Sequence, residues 1–481
     1  MSESNQPVQT PAIAADNLNY TQDAYRHSRL QYVPTFPNQY GAPIILTSGQ
    51  TPTVFNLPTD VFNLSESILM YTVNLTAPAG NGNYIWYPTD TYAEISHIQF
   101  YGSNNQLLVD LDNANNYFKI VGKHETNMSE FLTNDFQNRL YPSNNLINLV
   151  PSLRVQSGVT TPVPAAINYL EPAYWHVGDV DTDVRYEVQL PLRYFKNTLL
   201  SMNKNFYFNQ IMYMKIFWGP YTKMAFQSTT NANPSAGTPV VYAPAAATVP
   251  QISNLQLMLA TETLEDERLR LMNQISGPNA PGLSIIIPYA FNYKNNNSGA
   301  SQSINIQLDI GAGRTLMRIY HSVFNNTEQS NTMYDCSNLI STNPATQNVS
   351  EKVNTYWTNL NGKRNQTITI DTTTYSDAAG TIINPNGNTD YMNMKNSLKG
   401  SVLQNMNVFK YNWHHLDDFS DFKNEYLFED GSHLIAGIAL GPTPITWTFV
   451  GNNMVSAPYN HYTWGIFTKR LTINQTGPII D

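Results

Sequence analysis

Two runs of strand character, separated by a short proline-stopped connection, occupy residues 183–220 and commit this part of the chain to a β-sheet. Val184, Tyr186, Val188 and Leu190 alternate with Arg185, Glu187 and Gln189, the period of two that buries one face of a strand. Pro191 closes that run because it has no N–H to give to a ladder. Leu192 to Leu200, dense in leucine and aromatics, predicts a helical turn or two packed on a sheet end. After the polar break Asn203-Lys204-Asn205, the run from Gln210 to Trp218 is apolar on both faces and predicts an internal strand, stopped by Gly219-Pro220.

The rest of the chain agrees. Only 13% of the 481 residues are charged, about half the roughly 25% of an average soluble protein. Aromatic and β-branched strands joined by turns rich in Asn, Thr, Ser and Pro predict an all-β protein, and the length suffices for roughly two to four domains. A surface with few charges also suits a molecule that meets many copies of itself, because few ions are desolvated at each contact. The net charge of −9, with basic residues grouped no more densely than the pairs Lys363-Arg364 and Lys469-Arg470, argues against direct nucleic-acid binding. A single cysteine, Cys336, excludes an intramolecular disulfide framework and a cysteine-based zinc site. The first residues carry no basic region followed by an apolar core, and no run approaches the roughly 18 apolar residues of a membrane span, so synthesis in a host cytoplasm is expected.

In chain order, residues 1–40 are polar, proline-containing and aperiodic, and read as an N-terminal arm that orders against a partner. Strand patterns follow at 44–46, 53–57, 67–75, 93–101 and 107–109; Asn113 to Phe136 has helical spacing, and 140–182 reads as loop. The low-complexity stretch inside 221–250 predicts an exposed loop insertion. A strand at 252–259 leads into a helix lined by Leu264, Arg268, Leu271, Met272 and Ile275. Gly277-Pro278-Asn279-Ala280-Pro281-Gly282 is the clearest linker in the chain and places the domain boundary at 277–282, between a first domain at 41–276 and a second at 283–481. The second half restarts the same order of elements at Ser284 to Tyr289, Ile304 to Ile310 and Thr315 to Phe324. Residues 326–400 predict a long surface excursion, Trp413 to Phe428 a helical connection, and 434–440, 445–450 and 462–473 the last strands.

The order strand, Leu-Pro-Leu with aromatics, longer connection, apolar strand resembles the middle of a jelly roll in the double jelly-roll major capsid proteins. A further resemblance lies in Leu255-Gln256-Leu257-Met258-Leu259 followed by the acidic turn and amphipathic helix Glu265-Asp266-Glu267-Arg268-Leu269-Arg270-Leu271-Met272. The resemblance covers most of the chain and implies two tandem eight-stranded jelly rolls, with short inserted helices and long surface loops. It further implies a homotrimeric, pseudo-hexagonal capsomer tiling an icosahedral virus shell, so a virion location and partners that are other copies of the chain. Minor capsid or vertex proteins, and an internal membrane met by the N-terminal arm, are the other partners it implies.

Constellations that could carry chemistry are few. Asp179, Asp181 and Asp183 have the spacing of a calcium loop, but Val184 stands where such a loop needs Gly and Leu190 where it needs Glu. They remain a weak calcium candidate beside the plainer reading of a solvated turn. His414-His415-Leu416-Asp417-Asp418 could ligate a metal only on a helix or turn, and reads more simply as a helix start. Asp110 and Asp112 before Asn113 read as a turn with a helix N-cap, and Glu265-Asp266-Glu267 as the first turn of a helix capped by Thr263. No nucleophile elbow, phosphate loop or dinucleotide fingerprint occurs, so neither a catalytic centre nor a cofactor is expected. Tyr462 and Trp464, and Phe217 and Trp218, have strand spacing and read as core rather than a sugar platform. A lectin-like or fibre-type glycan-binding protein and a carbohydrate-active β-sandwich enzyme share this composition and are the rival readings.

Overall fold

The computed structural model describes residues 30–47, 49, 51–76, 84–88, 94–118, 121, 125, 174–178, 184–221, 226–228, 240–241, 249–298, 302–308, 313–325, 364–370, 373–374, 381–383, 414–418, 437–441, 445–451 and 458–481. The first half carries β1 (Leu30–Thr35), β2 (Ile44–Ile45), β3 (Thr53–Leu57), β4 (Phe62–Leu75), β5 (Tyr84–Pro88), β6 (Ile95–Gly102), β7 (Leu107–Asp112), β8 (Tyr174–Gly178), β9 (Val184–Pro191), β10 (Asn205–Phe206), β11 (Met212–Trp218), β12 (Phe226–Ser228), β13 (Val240–Val241) and β14 (Gln251–Glu262). The second half carries β15 (Leu283–Ser298), β16 (Gln302–Leu308), β17 (Thr315–Asn325), β18 (Arg364–Ile370), β19 (Thr373–Thr374), β20 (Thr381–Ile383), β21 (His414–Asp418), β22 (Ile438–Ala439), β23 (Ile445–Gly451), β24 (Pro458–Asn474) and β25 (Gly477–Ile480).

All ladders among the described residues are antiparallel. In the first half, β1 and β2 both pair with β14, giving the sheet β1/β2-β14-β4-β9, which faces β3-β11-β6-β7. In the second, β15-β24-β17-β21 faces β16-β23-β18-β19. Counting the barrel strands of each half from one to eight, with β1 and β2 together as the first, both halves have the sheets 1-8-3-6 and 2-7-4-5. That is the wrapping of a jelly roll, written twice. Even the short additions repeat, for β10 pairs with β4 as β22 pairs with β17.

Alternation builds each core. Leu69, Tyr71, Val73 and Leu75 of β4 are buried, and so are Ile252, Leu255, Leu257 and Leu259 of β14. Strand β11 is internal, between β3 and β6, as its apolar run predicts. Its two faces differ, however: Met212, Met214, Ile216 and Trp218 are buried, while Tyr213, Lys215 and Phe217 are half-buried. Two 3-10 turns, Leu192–Tyr194 and Leu199–Ser201, occupy the predicted helical connection. The helix Glu265–Ser276 buries Leu271 and Ile275, and residues 277–282 then lead into β15.

Several expectations are corrected. The N-terminal arm was expected to reach residue 40, but Leu30 to Thr35 pair with Glu262 to Leu257, so barrel one begins at β1. A short run interrupted by Pro34 reads as loop, yet an edge strand tolerates proline on its open side. Strands β8, β12 and β13 lie in stretches expected to be loop; with β5 they form the sheet β13-β12-β5-β8. The excursion at 326–400 contains β18, β19 and β20, the missing strands of barrel two. Their threonine-rich sequence, with few apolar residues and two of the three strands only two or three residues long, hides them. His414–Asp418, expected in a helical connection, is strand β21 on β17. The helix at 265 has Leu264 at its N-cap position with no side-chain cap, and Glu262 Oε1 instead accepts the Leu264 N–H at 2.9 Å.

Close packing of β24 in barrel two leaves no room at Gly465. An added Cβ would lie 2.3 Å from Phe467 Cε2, a ring that is fully buried. Gly465→Ala is expected to destabilise the protein by roughly 1–3 kcal/mol, measured by denaturant unfolding.

Candidate functional site

A buried polar cluster lies where the barrels meet. On β17, Ile319 and His321 point into barrel two, where His321 packs 4.9 Å from Trp447. Alternation therefore turns Arg318 and Tyr320 outwards, beside Trp464 and Ile466 of β24, their partners in register. An outward sheet face is normally solvated, yet Arg318, Tyr320, Tyr462, Trp464 and Ile466 are all fully buried. Barrel one supplies the cover through the connection that follows β7. Its helical turn Ala114–Tyr117 sets the Tyr117 ring edge-on to Trp464, with centroids 5.9 Å apart, and the Tyr117 hydroxyl donates to the Lys196 carbonyl oxygen at 2.7 Å. Further along the same connection, the Glu125 carboxylate accepts hydrogen bonds from the Arg318 guanidinium and the Tyr320 hydroxyl.

Burial dominates the electrostatics. It raises the Tyr117 hydroxyl well above the ordinary tyrosine range, and the Glu125 charge adds to that. Tyr462 is raised for the same reason, and Tyr289 is pushed up to about 12, by burial first and then by the charge of Asp110. Asp110 itself is held below the usual carboxylate range, chiefly by its hydrogen bond to His97 Nε2 at 2.5 Å, against the opposing effect of burial.

A second contact between the barrels is polar and exposed. It lies at the end of barrel one that carries the β6–β7 turn, where the C-terminal hairpin β24–β25 reaches over. Asn104 Nδ2 donates to the Pro478 carbonyl at 2.9 Å, Asn209 Nδ2 to the Gln475 carbonyl at 3.0 Å, and Gln475 Nε2 to the Gly277 carbonyl at 3.0 Å. Gln210 ties the β6–β7 turn together from beneath, donating to Asn104 Oδ1 at 3.1 Å and accepting from Ser103 Oγ at 2.8 Å. The opposite end of barrel one bears the four-stranded sheet β13-β12-β5-β8, built from the connections between its third and fourth, fifth and sixth, and seventh and eighth strands.

Asp179, Asp181 and Asp183, between β8 and β9, lie outside the described residues. His414–Asp418 being a strand removes the helical spacing that a shared metal site there required. Asp110 and Asp112 lie on β7 rather than in a turn, and Asn113 takes the N-cap position with φ 53°. Glu265, Asp266 and Glu267 do form a first helical turn, in which Glu267 pairs with Arg270. Tyr462, Trp464 and Trp218 are core, as expected, whereas Phe217, expected beside them, is half-buried because it points to the other face of β11. Among the described residues no three His, Cys, Asp or Glu side chains converge on a possible metal position, and no helix is long and apolar enough to cross a membrane. Sequence reasoning missed Glu125 and Arg318 because nothing local marks an ion pair between residues so far apart in the chain.

No family model and no curated protein matches the sequence. Solved structures do match in fold. The Faustovirus major capsid protein superposes with a TM-score of 0.50 at 10% identity, covering 93% of this chain and 90% of that one. The chain has the double jelly-roll fold. The PBCV-1 virus capsid gives a TM-score of 0.49 at 10% identity over 94% of this chain and 96% of that one. The Sputnik virophage gives 0.49 at 12% identity over 94% and 88%. Within the double jelly roll described above, the Glu125–Arg318 junction joins one roll to the other.

Removing one partner of that junction leaves a buried charge. Arg318→Met is expected to cost about 3–5 kcal/mol, whereas the double variant Arg318→Met with Glu125→Gln recovers a large part of the loss. A double-mutant cycle by denaturant unfolding checks both.

Proposed function

We propose that this chain is a major capsid protein, a structural subunit that assembles as a homotrimer into pseudo-hexagonal capsomers of an icosahedral shell. The observation that carries the reading is the tandem repetition of one strand order, with the second roll laid against the first through a buried face. Two like barrels in one chain supply six in a closed ring of three, so a threefold assembly acquires a near-hexagonal outline. The capsid proteins that share the fold support the same reading.

Assembly is then the mechanism. Apolar contacts of low charge density drive formation of the ring, and more polar contacts between rings allow misplaced units to leave. The sheet β13-β12-β5-β8 would stand at the outward end, with the polar hairpin contact towards the interior. Residues 1–29, ahead of β1, would reach neighbouring copies, minor proteins or an internal membrane. In this role the chain needs no catalytic residue.

Light scattering of the purified protein tests the proposal. A solution mass near three times 54.1 kDa, with a hexagonal outline under the electron microscope, is the expected result. A stable monomer would sink it. Removing residues 1–29 is expected to leave that mass unchanged and to impair shell formation.

A further inference from the structure

The junction between the rolls buries more polar atoms than it pairs. Asn115 and Asn116 belong to the same helical turn as Tyr117, and both are fully buried. Tyr117 packs edge-on against Trp464, which is fully buried too. Across the β15–β24 ladder Asn292 stands directly opposite Trp464, so the two side chains leave the sheet on one face. Around this one ring contact, the amide oxygen and nitrogen of Asn115, Asn116 and Asn292 and the indole Nε1 of Trp464 are all shut away from solvent, and none has a hydrogen-bond partner in the protein. The charged groups nearby are already engaged: Glu125 accepts from Arg318 and Tyr320, and Asp112 Oδ2 accepts from Asn113 Nδ2 at 2.7 Å. Native proteins leave few buried polar groups unpaired, because each one forfeits its hydration and gains nothing in return.

We propose that this junction is a sealed binding site for water, in which a small group of ordered molecules is held by the amides of Asn115, Asn116 and Asn292 and by the Trp464 Nε1–H. The chemistry of the lining selects the ligand. Each amide offers both a donor and an acceptor and the indole a donor, so the occupant must donate and accept alike. A cation would face the Nδ2 donors, with the Glu125 carboxylate already taken by Arg318 and Tyr320. An anion would face the amide oxygens and lie beside the Glu125 charge, which is felt at Tyr117. Full burial of Asn115, Asn116 and Trp464 keeps out a larger neutral molecule. Water fits on all three counts, and at about three hydrogen bonds per buried molecule the lining satisfies about two or three of them. Asn115 and Asn116 come from the first roll, Asn292 and Trp464 from the second, so the waters bridge the rolls and fit two surfaces whose polar groups do not match each other. The inference goes beyond the capsid reading and does not depend on it.

A high-resolution crystal structure of the full chain tests the site directly. Ordered water oxygens are expected about 2.7–3.2 Å from the amide atoms of the three asparagines and from Trp464 Nε1. Density for an ion or an organic molecule there, or no density at all, overturns the inference. Stability supplies a second readout whose sign is decisive. Asn115→Leu and Asn292→Leu each replace an amide by an apolar group of similar size. Were the amides unpaired, losing one would relieve a desolvation cost and raise the melting midpoint; amides that hold water lose those hydrogen bonds, and the midpoint falls. Each variant is expected to melt about 1–4 °C below wild type, and the structure of Asn292→Leu to lack the water bonded at that position while the rolls keep their placement. A rise in Tm for either variant overturns the inference, and so does a fall with that water still in place. If a variant fails to fold, the density of the wild-type protein decides alone.

Discussion

A sheet that is apolar on both faces needs two covers, and the β15-β24-β17 sheet of barrel two finds them in different places. Inside, Ile319, Phe467 and the stacked His321 and His461 are fully buried, and His321 packs on Trp447 from the opposite sheet. Outside, Tyr320, Tyr462 and Trp464 are roofed by Tyr117 and Glu125 of barrel one. Three rings of about 150–250 Å² each, at about 25 cal/mol per Å², contribute on the order of 10 kcal/mol. The Glu125–Arg318 pair adds little net stability, since its desolvation offsets most of its attraction. Aromatic burial therefore holds the rolls together, while the ion pair fixes how they meet.

The linker at 277–282 has a lesser part than its composition suggests. It brings the second roll into reach, but the position of that roll follows from the roof over Trp464 and from the contacts of the C-terminal hairpin. The wrapping of the chain also separates the two ends of barrel one. Alternate connections leave from alternate ends, so three of them pool at one end as a small extra sheet, while the β6–β7 turn and the segment before β11 meet the hairpin at the other. A protein built this way presents two chemically distinct ends and a flank.

Strands with clean alternation or continuous apolar character were legible in the sequence: β3, β4, β9, β11, β14, β17 and β24 all fall where their patterns place them. Strands β18 and β21 were not, because short, polar segments take strand geometry only when a neighbouring ladder offers hydrogen bonds, and β8, only five residues long, follows a proline-rich stretch that reads as loop. His414 to Asp418 shows this well, its charged and imidazole side chains suggesting a helix start until β17 pairs with it. At the junction, Tyr462 and Trp464 were legible as core, but not as core shared between two domains. Glu125 and Arg318 carry no local signal, for a salt bridge across 193 positions depends on how the rolls dock.

By itself the sequence determined the fold class and the recurrence of one order of elements in two halves. These follow from short-range physics: the period of two in side-chain direction, the breaks imposed by proline and glycine, and the scarcity of charge. Only the tertiary structure decided that Arg318, Tyr320, Tyr462, Trp464 and Ile466 on the outer face of barrel two are fully buried while Ile68, Met70, Gln256 and Met258 on the matching face of barrel one are half-buried. Both faces read as ordinary half-buried strands, and the difference arises because a chain with two barrels has one internal junction and must leave the other unmade.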